Sequence, residues 1–174
     1  MAEEHSEGKR NVLIMADRLA RFYYWVTQHL IRELGEEKAE RFLQDVMRDY
    51  GVETGEIARA GVVEKGMEPT LDNYRYAGDL PSEGWERERM ESTPELTWSK
   101  VHFCPFAHAW MTRYPGFEKW ARIYCQIDTA KYETYDPQCR CVCESNLLDG
   151  DPYCVVKTFR GGAEKRTEGT GQGL

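Results

Sequence analysis

The chain has no excess of positive charge, no CxxC pair, no long apolar run and no internal repeat, and each of these gaps closes off a class of function. Its 174 residues carry a formal net charge of −7, with a pI near 5.2. The broad basic footprint that lets a protein neutralise nucleic-acid phosphates is therefore missing. Lys and Arg are dispersed among acids and read as solvated surface. No stretch approaches the roughly 18 apolar residues of a membrane span. The opening Met1-Ala2-Glu3-Glu4-His5-Ser6-Glu7-Gly8 is acidic and polar, unlike the basic-then-apolar layout of a secretory signal. These absences lead to the expectation of a soluble, cytoplasmic protein that engages neither nucleic acid nor membrane. In that compartment six cysteines are reduced thiols, not a disulfide framework. Their tightest cluster, Cys139-Arg140-Cys141-Val142-Cys143, has the spacing of neither a zinc ribbon nor a finger.

What is present suits one domain. Apolar residues make up 41% of the chain, enough at this length to bury about two-thirds of the unfolded surface. Residues 1–8 and the Gly-rich polar tail 161–174 read as disordered, leaving 9–160 as the folded unit. Val12, Met15, Leu19, Phe22, Tyr23, Val26, Leu30 and Leu34 keep a three-and-four spacing that predicts a helix over 11–34, ended by Gly35. A second periodic run, Ala39, Phe42, Leu43, Val46, Met47 and Tyr50, predicts an antiparallel partner. It extends through Ile57 and Val62 if Gly51 and Gly55, costing roughly 1 kcal/mol each, are tolerated. Residues 66–86 read as an irregular connection pinned by Tyr74, Tyr76 and Trp85.

The period then changes to two. Strands are predicted over 86–92 and 96–103, turning at Thr93-Pro94-Glu95, with Leu96, Trp98, Lys100 and His102 on one face and Thr97, Ser99, Val101 and Phe103 on the other. Cys104-Pro105 opens a short helix to about Met111. A further helix spans 117–132, and strands over 138–146 and 152–160 join at Asp149-Gly150-Asp151. The pattern predicts an α+β fold: an N-terminal helical pair packed on a small antiparallel sheet, with two further helices inserted between the strand pairs.

Side chains able to do chemistry gather at the junctions of these elements. Cys104 ends a strand and begins a helix, where free amides and the helix dipole favour thiolate. His108 follows one turn later as a candidate base, and His102 precedes by two residues. Cys125, Asp128 and Tyr132 fall at i, i+3 and i+7, one stripe of a helix, suited to proton transfer and to binding a polar ligand. Cys139, Cys141 and Cys143 share one face of a strand, with Cys154 on the next. Ligands at i, i+2 and i+4 span roughly 13 Å, too far for one zinc ion, so small side chains under a helix is the plainer reading. Asp151 beside Gly150 is a turn residue that could also be aimed at a site. Cys104 is equally readable as a small buried hydrophobe.

The order Cys104-Pro105 with Ala109-Trp110, then Tyr124-Cys125-Gln126-Ile127-Asp128, Tyr135-Asp136-Pro137 and Leu148-Asp149-Gly150-Asp151-Pro152-Tyr153-Cys154 resembles the L-2-amino-thiazoline-4-carboxylic acid hydrolase family. The helical segment ending Tyr50-Gly51 and Thr70-Leu71-Asp72-Asn73-Tyr74 extend the resemblance toward the N-terminus. It implies a hydrolase acting on carbon–nitrogen bonds of small cyclic amidines or thiazolines. The named reaction converts 2-amino-thiazoline-4-carboxylate to N-carbamoyl-cysteine. On this reading Cys104, Asp128 and His108 are catalytic, and Cys125, Tyr132, Asp151, Cys154 and His102 line the substrate site. A divalent metal is a possible cofactor, held by residues drawn from Cys104, His108, Cys125, Asp128 and Asp151. Two alternatives stand beside this: a non-catalytic small-molecule-binding or sensor domain, and a metal-dependent hydrolase of the same fold. The aromatic run Phe22-Tyr23-Tyr24-Trp25 leaves homo-oligomerisation open.

Overall fold

A computed structural model describes residues 6–90 and 93–161. The expectations for 1–5, 91–92 and 162–174 lie outside the described residues. Two 28-residue helices open the fold, α1 (Glu7–Leu34) and α2 (Glu36–Val63). α1 starts before the apolar periodicity does, because Ser6 caps it by accepting a hydrogen bond from the Lys9 amide at 3.3 Å. Glu7 then sets a negative charge against the positive end of the helix dipole. Glu7 and Gly8 are thus helical, not part of a disordered leader. Gly35, at φ 79°, breaks the two helices apart. α2 does run through Gly51 and Gly55, both buried against a later helix.

The chain from 64 to 85 contains two short 3-10 turns, Leu71–Tyr76 and Ser82–Gly84. Tyr74 packs on Tyr132 and Tyr135, and Trp85 on Phe106. Tyr76 is exposed and pins nothing to the core. Strands β1 (Glu86–Arg89) and β2 (Leu96–Phe103) follow, then helices α3 (Pro105–Arg113), α4 (Glu118–Tyr124) and α5 (Ile127–Tyr135). Strands β3 (Cys139–Ser145) and β4 (Cys154–Arg160) complete an antiparallel sheet of order β1-β2-β4-β3. The α+β expectation holds.

Its detail changes at one place: the helix expected over 117–132 is two helices. At the junction the amides of Cys125 and Gln126 bond three residues back, to the carbonyls of Arg122 and Ile123, and Asp128 bonds to that of Cys125. This tightened turn bends the chain between α4 and α5. α1 packs chiefly on α3 and α2 chiefly on α5, while α5 lies against β3, so the helical pair meets the sheet through α5. The main core joins Tyr23 and Leu43 to Trp110, Phe117 and Trp120. Its two polar tips are satisfied: Tyr23 donates to the Trp120 carbonyl at 3.0 Å and the Trp110 indole to that of Ala20 at 3.2 Å.

Strand register assigns the sheet faces. Cys154 pairs with Val101, Val156 with Cys143, and Thr158 with Cys141 and Thr97. Directly opposed residues point the same way, so Cys139, Cys141, Cys143 and Cys154 share the face that α5 covers. Leu96, Trp98, Lys100 and His102 take the other face, as the alternation predicts.

Candidate active site

α5 carries the group on which the site turns. Its buried Lys131 extends an ammonium 2.9 Å from Asp128 Oδ1 and 2.9 Å from Asp79 Oδ2, the latter on the loop after Tyr76. The rings of Tyr132 and Tyr74 lie 5.0 Å and 5.9 Å away. Asp79 also accepts a hydrogen bond from the Tyr74 hydroxyl at 2.7 Å. Burial by itself would lower the Lys131 pKa; the charge of Asp128, with Tyr132, Tyr74 and Asp79 behind it, carries it well above the usual value. The amine is therefore a fixed cation, with Asp128 facing the sheet side of the junction.

Thiols surround that carboxylate. Cys104 sits at the N-cap of α3, with no side-chain cap hydrogen bond. Burial raises its pKa and Asp128 adds to the rise, while the amides of Ala107 and Phe106 and the Trp85 indole pull the other way and lose. The expected thiolate at the helix N-terminus is thus a neutral thiol. Cys125, in the turn between α4 and α5, is pushed up to about 12 by burial, then by Asp128 and Cys104, against Arg122 and Asn146. Cys141, on the sheet below, reaches about 12 through burial and Asp128. Cys154 reaches about 11 through burial, although its sulfur accepts the Leu147 amide at 3.3 Å. These couplings draw Cys104, Cys125, Asp128 and Cys141 to one junction of α3, α5 and sheet. Tyr132, pushed to about 12 chiefly by burial, completes it.

Three expected site residues stand elsewhere. His108 is exposed, its ring 5.1 Å from that of Phe103; its amide donates to the Cys104 carbonyl at 2.9 Å, but among the described residues no hydrogen bond joins the imidazole to the Cys104 thiol. The one-turn spacing is real, yet the outer side of α3 takes the imidazole while Ala107 and Trp110 take the core. His102 lies on the far face of the sheet, 3.2 Å from Glu88. Asp151 accepts the Asn146 amide at 2.7 Å, so its carboxylate closes the β3–β4 connection. In the same turn Asn146 directs its own Nδ2 to Cys143 Sγ at 3.6 Å. The Cys125–Asp128–Tyr132 stripe survives only from Asp128 onward, because Cys125 sits in the bend. Among the described residues, no group of three or more His, Cys, Asp and Glu is placed to hold a metal ion. The ligand set drawn from Cys104, His108, Cys125, Asp128 and Asp151 does not assemble, since His108 and Asp151 point away.

Lys131, Asp79, Arg122 and Asn146 escaped the sequence reading. A lysine in Asp128-Thr129-Ala130-Lys131 reads as a surface i, i+3 partner, and nothing local announces that Asp79, 52 residues upstream, also reaches it. Arg122 forms an ion pair with Asp149 at 3.0 Å and holds positive charge near Cys125.

The sequence model of the L-2-amino-thiazoline-4-carboxylic acid hydrolase family matches residues 15–157, from α1 into the last strand. The chain belongs to that family. No curated protein matches the sequence. Among solved structures, a trafficking protein particle complex subunit 3 from Naegleria fowleri, covalently bound to palmitic acid, superposes with a TM-score of 0.52. It is 10% identical, over 84% of this chain and 95% of that one. The phenol-responsive sensory domain of the transcription activator PoxR, with phenol, gives a TM-score of 0.53 at 12% identity, over 83% of this chain and 74% of that one. Both likenesses concern the fold. Among the described residues no helix is long and apolar enough to cross a membrane.

Proposed function

We propose that this family member hydrolyses a small carboxylate-bearing heterocycle of the thiazoline or cyclic amidine class, with Asp128 as the base. The observation that carries the reading is the Asp128 carboxylate, fixed at 2.9 Å by a buried lysine and set among neutral thiols and Tyr132. Asp128 takes a proton from water, whose oxygen bonds to the ring carbon between nitrogen and sulfur. The ring nitrogen gains a proton, the tetrahedral adduct collapses, and sulfur leaves as a thiol. With a 2-amino-thiazoline both nitrogens stay on the attacked carbon, so the bond that opens is carbon–sulfur. An all-nitrogen cyclic amidine would open at carbon–nitrogen. Cys104 and Cys125, protonated, stand beside the carboxylate; a covalent role for Cys104 would need Asp128 to remove its proton first.

The test is turnover of 2-amino-thiazoline-4-carboxylate, followed by release of the product thiol. Asp128→Asn should lower kcat at least 100-fold, and Cys104→Ser should keep most of it. Full activity in Asp128→Asn would remove Asp128 as base, and loss in Cys104→Ser alone would shift the attack to the thiol. Saturable binding without thiol release would instead favour the second reading, a ligand-sensing domain, to which the likeness to a phenol-responsive domain lends support. Metal analysis of the purified protein checks the metal-dependent variant of the same chemistry.

A further inference from the structure

α1 and α2 each turn an unpartnered stripe to solvent, and the two stripes have the same spacing. On α1 it is Ile14, Arg18, Phe22, Trp25 and His29; on α2 it is Phe42, Val46, Tyr50, Glu53 and Ile57. Both step through i, i+4, i+8, i+11 and i+15, which keeps five residues along one side of a helix. The seven apolar members are between 39% and 69% exposed. Along the α1 stripe, Ile14 and Leu13 floor a groove of about 390 Å³ edged by Arg10, Arg18, Arg21 and Asp17, the last two paired with each other at 3.2 Å, which leaves Arg10 and Arg18 as its excess positive charge. Beside the α2 stripe stand Asp49 and Glu56. One stripe is basic, the other acidic.

We infer that the two stripes cover each other between two copies of this chain, α1 of one protomer running antiparallel to α2 of its partner. Antiparallel alignment opposes Ile14 to Ile57, Arg18 to Glu53, Phe22 to Tyr50, Trp25 to Val46 and His29 to Phe42. Parallel alignment would set Arg18 on Val46 and Trp25 on Glu53, burying each charge against an apolar side chain. Among the described residues neither Arg18 nor Glu53 has an ion-pair partner within the chain. A two-fold axis forms the contact twice and closes the assembly. The seven apolar side chains offer on the order of 700 Å² per protomer, close to the ~800 Å² each partner buries in a standard interface.

Light scattering on size-exclusion eluate of the full chain reads the outcome. The wild type should elute at about twice its 20.3 kDa mass. Arg18→Glu and Glu53→Arg should each raise the dimer dissociation constant at least tenfold with unchanged circular dichroism, and the double variant should restore the dimer. A monomeric wild type, or a double variant no tighter than either single one, overturns the inference. A monomer that co-sediments with phosphatidylserine vesicles, and ceases to do so as Trp25→Glu, would assign the α1 face to a lipid surface and equally refute the dimer.

Discussion

Replacing Gly55 with alanine isolates the contact that places α5, and with it Asp128 and Lys131. A Cβ built there lies 2.5 Å from the Lys131 carbonyl oxygen, 2.8 Å from Thr134 Cβ and 3.2 Å from the Tyr135 amide nitrogen. Two of those three atoms are backbone, so no rotamer change relieves the overlap and α2 must move off α5. Overpacking of this kind costs about 1–3 kcal/mol. Alanine returns about 1 kcal/mol in helix propensity. Because the overlap is with backbone, the cost falls at about 2–3 kcal/mol, the upper part of that range, and the balance is a loss of about 1–2 kcal/mol, or about 2–8 °C in melting temperature at this chain length. Turnover should fall further than stability does, because the displaced helix carries the site. Gly8→Ala is the control: its nearest neighbour is Glu83 Cγ at 3.8 Å, an ordinary contact. That variant should be neutral or mildly stabilising in the same urea and thermal titrations. A Gly55→Ala protein as stable as the wild type would refute the close approach of α2 and α5.

Lys131→Met leaves Asp79 and Asp128 without their shared cation. Breaking a buried ionic contact costs about 3–5 kcal/mol, and because the Asp128 side chain is 38% exposed water recovers part of this, so about 2–4 kcal/mol is expected by urea denaturation, non-additive with Asp79→Asn. The thiols make stability fall in alkali. Cys125 and Cys141 near 12 and Cys154 near 11 stay protonated when folded, whereas unfolded they ionise around 9. Above pH 9 the folded state therefore binds more protons, and the urea midpoint should be flat up to about pH 9 and drop from there to pH 11. Alkylation of the native protein by iodoacetamide should be slow at pH 7.5 for Cys104, Cys125, Cys139, Cys141 and Cys154; one fast cysteine among these would contradict the burial that raises them.

The sequence revealed what periodicity and turn chemistry encode. The two long helices, the antiparallel strands, the start of α3 at Pro105 and the shared face of Cys139, Cys141 and Cys143 follow from local rules. The bend at Cys125-Gln126 does not, since neither residue breaks a helix by propensity; α4 and α5 both pack on α2, but only α5 goes on to cover β3, a tertiary arrangement that spacing does not encode. Gly51 and Gly55 show the same limit from the other side. Read locally they weaken a helix, whereas in the fold they are the contact surface. Asp79 meeting Lys131 is a contact between distant segments, invisible to spacing.

The Cys104 thiol shows how one position can favour opposite charge states. Its place at the start of α3 was legible, and the dipole and amides there do favour thiolate, by about 0.3–2 kcal/mol. The same position is half-buried at the edge of the core, and the cost of removing a thiolate from water there outweighs that gain. The nearby Asp128 carboxylate adds a like charge. Two effects of one location therefore oppose each other, and burial, which no motif records, decides the sign. Of the two proton carriers expected from the sequence, His108 is exposed on the outer side of α3, while Asp128 stands beside these thiols with the buried lysine holding it in place.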